Sequence, residues 1–367
     1  MATILIFTKY DDLAASTRYR FLQYRPWLED AGIELVIEPL LANEYLEHKY
    51  NGIKIDRLKI ILSYIRRLSL LLFRRNFDLI IVQYELFPYL PGFFEKLIKL
   101  SGKPIVYECD DATFQQYYAH KRTFIRRALQ KILLSHKLES LLQSCVLAIC
   151  GNKYLEEWAS QHCSHTEIVP TVVDTNIYKV ATHNPSRKVA IGWIGSPSTF
   201  QYVEPISDLL NYFATENDLT VKIIGSGLNS IGFKSFELID WSEQYEVQHI
   251  QEMDIGIMPI PDDPWAQGKC GFKLIQYMAC GLPVVASPAG VNSQIIDHGV
   301  NGFIVNTERE WLDALKALTA DSDLRHRMGR KGRQKVEEWY SLQVQAPRIT
   351  AMLSNILEQS IGEKLVE

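Results

Sequence analysis

The sequence predicts an α/β protein with two doubly wound parallel sheets in tandem. Short apolar runs rich in β-branched residues alternate with longer stretches of helical periodicity, as in parallel α/β proteins. The alternation stops at the polar, proline-containing residues 182–187 and then starts again. With 367 residues, of which 47% are apolar, the chain is long enough for two cores.

The order of the predicted elements follows from the positions of the apolar runs. Strands in the first half are predicted near residues 3–8, 33–38, 79–82, 104–108, 146–149 and 167–169. Helices between them are predicted over residues 17–31, 54–75, 90–101, 120–143 and 152–161. Strands in the second half are predicted near residues 188–194, 220–224, 236–240, 254–258, 283–286 and 302–305. From residue 308 the pattern is helical to the end, with a break at residues 339–341.

These elements predict two domains and two connections. We expect a first domain over residues 1–170, a linker over 171–187 and a second domain over 188–338. Residues 339–367 form a separate amphipathic helix, because Ile349, Leu353, Ile356 and Leu357 recur at helical spacing.

Composition excludes several classes of protein. The net charge of −4 argues against a nucleic-acid binder, although residues 54–137 hold 16 Lys and Arg against 7 Asp and Glu. The six cysteines are scattered without a CxxC pair, which predicts buried, reduced thiols and no zinc site. Residues 1–10 do not look like a signal peptide, and no run of 18 apolar residues occurs. We therefore expect a cytoplasmic protein.

The segment 268–287 carries the strongest functional signal. A glycine-rich turn with Gly271, Phe272 and two lysines, Lys269 and Lys273, precedes an apolar helix and a buried strand. Helix N-termini bind phosphate, and lysines four apart share one side of a helical turn. This pattern predicts a diphosphate site with Lys269 and Lys273 as its cations. The alternative is a helix–strand unit with two surface lysines.

Polar residues follow several other predicted strands. In the first half they are the acceptor-side candidates Arg18, Arg20, Glu85, Asp110 and Asp111. In the second half they are Gly195, Ser196 and Ser226. Ligands of doubly wound sheets bind beyond the carboxyl ends of the strands. If two such domains face each other across a cleft, an anionic ligand would meet the second and a polyhydroxyl partner the first.

Each of these candidates also has a plainer interpretation. The N–H groups of Gly195 and Ser196, before a predicted helix at 199–212, would bind the distal phosphate, or they form an ordinary turn. Ser226 flanks a nucleotide base or belongs to a Gly-Ser-Gly turn.

The first-half candidates are equally open to a second interpretation. Asp110 and Asp111 orient an acceptor hydroxyl or act as a base, hold Mg²⁺, or cap a turn. Arg18 and Arg20 bind phosphate or lie on a surface helix.

Several motifs together resemble a known family. They are Gly-Trp-Ile-Gly-Ser at 192–196, Asp-Ile-Gly-Ile-Met-Pro at 254–259, the segment 269–287, Gly-Val-Asn-Gly-Phe at 299–303, Ser-Thr-Arg-Tyr-Arg at 16–20 and Tyr-Glu-Cys-Asp-Asp-Ala at 107–112. The chain resembles the GT-B glycosyltransferases of the retaining family 4 (group 1) type. This resemblance implies two Rossmann-like domains facing across a cleft, a C-terminal helix that crosses back to the first domain, retention of configuration and no metal ion.

Two departures from the family pattern affect the predicted site. Gly268 and Gln276 stand where the family has two glutamates, the second of which holds the nucleotide ribose. The loop 196–199 lacks the family's Arg and Lys, so we expect Lys269 and Lys273 to stabilise the leaving diphosphate instead. Gln276 either keeps the ribose contact or is a partly buried helix residue.

The predicted function is transfer of a sugar from a nucleoside-diphosphate sugar to a hydroxyl of a glycan or lipid-linked glycan, in bacterial surface polysaccharide synthesis. The alternatives are a non-catalytic subunit of glycosyltransferase type and a sugar-nucleotide epimerase. The basic helices at 54–75 and 120–137 are candidates for contact with an anionic membrane on its inner face, or they are ordinary solvated helices. No nucleic-acid partner and no cofactor besides the nucleotide-sugar co-substrate are expected.

Overall fold

A computed structural model describes residues 1–74, 76–118, 134, 136–182, 187–227 and 236–364. The first half contains a sheet of strands β1 (Ala2–Tyr10), β2 (Ile33–Leu41), β3 (Leu79–Gln83), β4 (Ile105–Cys109), β5 (Leu147–Cys150) and β6 (Thr166–Ile168). Their order across the sheet is β2-β1-β3-β4-β5-β6, and every adjacent pair is parallel.

The second half contains a second parallel sheet. Its strands are β7 (Ala190–Ile194), β8 (Thr220–Ile224), β9 (Glu237–Ile239), β10 (Ile255–Met258), β11 (Val284–Ala286) and β12 (Gly302–Ile304). They lie in the order β12-β11-β10-β7-β8-β9. Each strand predicted from the sequence is present, and the α/β fold class with two parallel sheets is confirmed.

Two compact units contain these sheets. The first unit comprises Met1–Thr171, Gly268–Cys270 and Gln345–Glu367, and the second comprises Val172–Gln267 and Gly271–Val344. Much of the stretch expected to be a linker belongs to the second unit, where Val172, Val173 and Tyr178 are buried. Val173 also forms a bridge with Ser341, so this stretch is packed rather than extended through solvent.

In the described part of the first unit, the predicted helices are shorter than expected, and the helix Asn43–Tyr50 has no predicted counterpart. Their bounds are Ala15–Arg20, Arg25–Asp30, Asn43–Tyr50, Arg57–Phe73, Phe93–Lys96, Gln115–Tyr118, Lys137–Leu142 and Lys153–Ala159, with 3-10 turns at Leu22–Tyr24 and Leu97–Ser101. The prediction of a single helix over 17–31 was wrong. A second helix begins at Arg25, with Pro26 in its first turn, where the missing N–H of proline is tolerated. The helix expected over 90–101 is two short turns ending at Gly102, whose φ is 62°.

Side-chain caps fix the start of two helices in this unit. The N–H of Leu58 donates to Asp56 Oδ1 over 2.9 Å, and the N–H of Leu155 donates to Asn152 Oδ1 over 2.9 Å. Such caps satisfy N–H groups that the helix itself leaves without partners. Residues 120–133 and 135 of the helix predicted over 120–143 lie outside the described residues.

The second unit has its own helices between the strands. Their bounds are Ser207–Glu216, Glu246–Gln251, Pro264–Gln267, Phe272–Ala279, Asn292–Ile295, Glu308–Ala320 and Ser322–Trp339, with 3-10 turns at Phe200–Tyr202, Glu204–Ile206 and Glu243–Tyr245. The helix expected over 199–212 was placed too early, because its first part is two 3-10 turns and the α-helix begins only at Ser207. The break predicted at 339–341 is confirmed, since one helix ends at Trp339 and the next begins at Leu342.

The final helix, Leu342–Lys364, has an apolar side in the first unit. Ile349, Leu353 and Leu357 are buried, and the first two line a small cavity with Tyr24 and Leu28. Arg348 donates to the carbonyl oxygen of Ile168 over 2.9 Å.

None of the helices in the described part of the chain combines the length and hydropathy that a bilayer crossing requires. All six cysteines are free thiols, and five of them are buried. The expected burial of the cysteines is thereby confirmed for five of the six.

Candidate functional site

Each sheet has one point at which the strand order reverses. In the first sheet this point lies between β1 and β3, and in the second it lies between β7 and β10. Doubly wound folds bind their ligands beyond the carboxyl ends of the two strands at such a point. The residues after Tyr10 and Gln83 in one unit, and after Ile194 and Met258 in the other, are therefore the places to look for a site.

In the second unit, Lys273 lies close to this point. It sits in the first turn of the helix Phe272–Ala279, and its Nζ is 5.5 Å from the ring centroid of Trp193 on β7. Gly271 caps the helix with a φ of 66°, which favours glycine, and an added Cβ would lie 3.0 Å from Val291 Cγ2. The turn thus holds a cation and a helix N-terminus beside one of the two strands that flank the reversal.

The first two N–H groups after β7 both donate hydrogen bonds within the second unit. The N–H of Gly195 donates to the carbonyl oxygen of Ile224 over 3.0 Å. The N–H of Ser196 donates to Thr199 Oγ1 over 3.1 Å. Both groups were predicted to meet a phosphate; in this structure Gly195 donates to the end of β8, and Ser196 donates within the turn. Ser226 is buried between Gly225 and Gly227, whose φ values are 78° and 60°, and it follows β8.

Gln276 lies in a buried polar network. Its Nε2 donates to Glu246 Oε1 and to the hydroxyl oxygen of Tyr178, each over 2.9 Å. Glu246 also accepts a hydrogen bond from the Trp241 indole N–H over 2.5 Å. The amide therefore links the helix Phe272–Ala279 to the residues around Tyr178. Of the two interpretations offered for Gln276, this geometry favours the buried helix residue over the ribose contact.

In the first unit, Asp111 and Lys269 form an ion pair. Lys269 Nζ lies 2.8 Å from Asp111 Oδ2 and 3.1 Å from Oδ1, and the two side chains are 22% and 25% exposed. Burial raises the pKa of Asp111, and the ammonium group opposes that rise. Lys269 precedes the helix that begins at Phe272, so only Lys273 occupies a helical turn.

The segment Gly268–Cys270 is held against the residues after β4 and β5. Asn152 Nδ2 donates to the carbonyl oxygen of Lys269 over 3.2 Å. A Cβ added at Gly268 would lie 2.6 Å from the backbone nitrogen of Ala112, so no side chain fits there. The position at which the related family has a glutamate is therefore closed to any larger residue unless the backbone moves.

Asp110 is bound from the neighbouring strand. Its carboxylate accepts a hydrogen bond from the hydroxyl of Tyr84, the residue directly after β3. Tyr84 has a φ of 61°, which is costly for a residue with a side chain and is often found at functional sites. Sequence reasoning did not select Tyr84, and no spacing signal points to it.

Lys9 was also missed, although a signal existed. It is a cation near the carboxyl end of β1, at the reversal point of the first sheet. Its Nζ lies 5.6 Å and 6.0 Å from the ring centroids of Tyr10 and Tyr89. Burial lowers the pKa of Lys9.

The two arginines expected at the acceptor side are buried. Arg20 Nε donates to Glu108 Oε1 over 2.6 Å, and its Nη1 donates to the carbonyl oxygen of Val169 over 2.8 Å. Arg18 Nη1 donates to the carbonyl oxygens of Asp12 and Leu13 over 2.7 and 2.8 Å. The surface-helix alternative for these residues was wrong, since both serve to fix the loop after β1 to its surroundings.

Glu85 lies in a fully buried charge cluster. Lys137 Nζ is 2.7 Å from Glu85 Oε2 and 3.2 Å from Glu95 Oε1, and all three side chains are 0% exposed. Tyr117 donates its hydroxyl to Glu85 as well. Glu85 is thus committed to this cluster, and Lys137 is not part of a basic surface.

Metal ligands do not converge in this region. Among the described residues there is no group of three or more His, Cys, Asp or Glu side chains arranged to hold a metal ion.

Comparison with known proteins adds to this geometry. Residues 201–321, which include Lys273 and Gln276, match the model of the family described as "Glycosyl transferases group 1". The resemblance to group 1 glycosyltransferases is thereby confirmed. D-inositol 3-phosphate glycosyltransferase of Arthrobacter sp. (strain FB24) is 26% identical over 192 residues, which cover 45% of this chain and 44% of that protein.

A second relative matches over a shorter stretch. Spore coat protein SA of Bacillus subtilis (strain 168) is 28% identical over 88 residues, or 23% of this chain and 22% of that protein. The chain therefore matches less than half of the length of both relatives.

Solved structures resemble nearly the whole chain. Sucrose-phosphate synthase from Thermosynechococcus elongatus has a TM-score of 0.71 at 12% identity, covering 98% of this chain and 100% of that one. HepE from Anabaena, in complex with UDP-glucose, has a TM-score of 0.69 at 14% identity, covering 97% and 100%. At such low identity the likeness shows the fold alone, which is the GT-B fold of two Rossmann-like sheets.

Proposed function

We propose that this protein is a glycosyltransferase that moves a sugar from a nucleoside-diphosphate sugar to a hydroxyl group of a glycan or lipid-linked glycan. One observation carries the proposal. The helix N-terminus at Gly271, with the ammonium group of Lys273 beside Trp193, lies inside the segment matched by the group 1 family model. A helix N-terminus with a cation suits a diphosphate.

We infer the class of sugar donor from proteins of similar structure. HepE has been observed with UDP and with UDP-glucose. We assign the nucleoside-diphosphate class to this chain and leave the base and sugar to experiment. Lys273 stabilises the negative charge that develops on the departing diphosphate, which is the main electrostatic task in this reaction. The donor side also includes Gly195 and Ser196 after β7 and Ser226 after the neighbouring strand β8. The N–H groups of the first two contact the donor if the turn after β7 opens.

We assign to Asp111 the role of general base toward the acceptor hydroxyl group. A carboxylate that is partly buried has a raised pKa, and a general base works best when its pKa is near the working pH. Lys269, 2.8 Å away, keeps the carboxylate ionised and oriented. Asp110, held by Tyr84, supports the same loop. We propose retention of anomeric configuration, because the chain resembles the retaining type of group 1 glycosyltransferase.

The cellular setting follows from the same proposal. We place the protein on the cytoplasmic side of a bacterial membrane, in the assembly of a surface polysaccharide, with a nucleotide-sugar as co-substrate and no metal ion. The support is the resemblance to group 1 glycosyltransferases and the basic excess of residues 54–137.

A second candidate is a non-catalytic binding subunit with this fold. Two observations favour it: Gly268 leaves no room for a carboxylate side chain, and Gln276 is engaged by Glu246 and Tyr178. Such a subunit would bind nucleotide or glycan without turnover.

Turnover separates these functions. The purified chain is incubated with single nucleotide-sugars, with and without a lipid extract or oligosaccharide acceptor, and release of nucleoside diphosphate is measured. Acceptor-dependent release supports the transferase, and the product's anomeric configuration tests retention. Binding without release under every condition supports the subunit. Conversion of the sugar without any acceptor identifies an epimerase and contradicts the proposal.

A further inference from the structure

The helix Arg57–Phe73 carries large aliphatic side chains on its solvent side. Leu58, Ile61, Leu62 and Ile65 are 62%, 57%, 54% and 57% exposed, and we call these four residues the aliphatic stripe. At about 100° per residue, all four lie within about 60° of the direction of Leu58. A stripe of this kind on one helix is not the scattered exposure that ordinary surfaces show.

The stripe cannot be explained as the core side of the helix. That side is formed by Tyr64, Arg67, Leu68 and Leu71, which lie between about 80° and 180° from the direction of Leu58. Arg67 is 2% exposed, and its guanidinium donates to the carbonyl oxygens of Thr8, Glu38 and Leu86. The helix therefore packs against the first unit through one side and presents the stripe on the other.

The charged side chains that the helix itself places beside the stripe are all basic. The helix contains Arg57, Lys59, Arg66 and Arg67 but no Asp or Glu. By helical geometry Arg57 lies on one flank, and Lys59 and Arg66 lie on the other. Within the described ranges Arg57 has no acidic partner, while Lys59 pairs with Glu44 and Arg66 with Glu38. The pattern is that of a helix lying in a membrane interface.

We propose that the aliphatic stripe inserts into the boundary between headgroups and acyl chains of a membrane containing anionic lipids. Leucine and isoleucine enter the apolar layer, and the flanking cations reach the phosphate groups with their long side chains. Phe73, 77% exposed near the end of the same helix, lies about 60° from Leu58 and adds an aromatic ring to this side, which also suits the headgroup region.

Insertion of the aliphatic stripe differs from the sequence-based expectation, in which basic side chains alone bind the membrane. Arg67 is buried, and Arg66 and Arg74 both pair with Glu38. Arg75 and residues 120–133 of the second basic segment lie outside the described residues. The apolar side chains are therefore the main contact, and the cations add a preference for anionic lipid.

Vesicle binding by the full chain tests this proposal. Co-sedimentation is measured with phosphatidylcholine vesicles that contain or lack phosphatidylglycerol. The wild type should bind the anionic vesicles, and the triple variant Ile61→Gln/Leu62→Gln/Ile65→Gln should lose at least about tenfold in affinity. The matched control Ile177→Gln/Leu238→Gln/Val300→Gln removes exposed apolar side chains from the second unit and should bind as the wild type does. Arg57→Gln should reduce the preference for anionic lipid.

Three results would overturn the proposal. These are failure of the wild type to bind anionic vesicles, equal binding by the stripe variant, or self-association that disappears in the stripe variant, which assigns the stripe to a second copy. Leu58→Gln serves as a milder variant if the triple variant does not fold. Donor turnover with a soluble acceptor should be unchanged, so vesicle binding and the proposed transfer can fail independently.

Discussion

Lys269 Nζ lies 2.8 Å from Asp111 Oδ2, although the two residues are 158 positions apart in the chain. The pair joins the loop after β4 to the short segment Gly268–Cys270 that the first unit contains. It also joins a carboxylate whose pKa is raised by burial to the cation that opposes the rise. The proposed base and the lysine singled out from the sequence thus act on each other.

Lys269→Ala should lower turnover by about tenfold or more and shift its pH dependence. Without the ammonium group the pKa of Asp111 rises further, so the carboxylate becomes ionised only at higher pH. The acidic limb of the pH–rate profile should therefore move to higher pH. The free energy of unfolding should fall by about 1 kcal/mol or less, because the pair is partly exposed.

Lys99→Ala is the control for loss of an exposed lysine in the same unit. It should leave both the rate and the pH profile unchanged. If Lys269→Ala also leaves them unchanged, Lys269 does not act on the reacting carboxylate.

Gly268→Ala should reduce the free energy of unfolding by about 1–3 kcal/mol, because the new Cβ would lie 2.6 Å from the backbone nitrogen of Ala112. Gly268→Glu, which introduces the residue of the related family, should reduce the free energy of unfolding further. Urea unfolding of the three proteins measures the effect. Equal stability of wild type and Gly268→Ala would show that the loop after β4 yields easily, contrary to the packing described.

Gln276→Glu should destabilise the second unit by about 3 kcal/mol or more, because it places a second carboxyl group next to Glu246 in a buried network. Burial and Glu246 raise the pKa of the introduced carboxyl group, so the folded state favours its protonated form. The loss of stability should therefore be small at pH 5 and grow as pH rises to 8. Gln294→Glu, at an exposed helix position, should show no such trend. A variant as stable as the wild type at pH 8 would place Gln276 in contact with solvent or ligand.

The buried cluster of Glu85, Glu95 and Lys137 gives a second pH dependence. Burial raises the pKa of Glu95, while Lys137 opposes the rise. A raised carboxyl pKa contributes stability that is complete below the unfolded-state pKa and is lost as pH rises through the folded-state pKa. The stability of the wild type relative to Glu95→Gln should therefore decrease between pH 4 and pH 8. Denaturant unfolding of both proteins at several pH values measures this difference, and an increase with pH would mean that the ion pair outweighs burial.

The strands and the fold class could be predicted because a strand buried on both faces is a continuous run of apolar residues, as at Leu79–Gln83 and Ala190–Ile194. Helix bounds were harder, since local features such as Pro26 and Gly102 decide where helices stop. Side-chain roles were hardest. Arg20 meets Glu108 across 88 positions and Gln276 meets Glu246 across 30, and no local spacing encodes such partners. The lysine segment could be selected as a candidate because its signal is local: glycines, a cation and a helix start lie within a few residues.

The most direct test of the central claim is calorimetric titration of the wild type with UDP, GDP and ADP, alongside Lys273→Gln and the control Lys316→Gln. The account predicts that one nucleoside diphosphate binds the wild type and Lys316→Gln equally. It predicts that Lys273→Gln weakens binding by at least about tenfold, as expected for loss of a charged hydrogen bond worth roughly 1.5–3 kcal/mol. Absence of binding by all three nucleotides, or binding that Lys273→Gln leaves unchanged, would contradict the account.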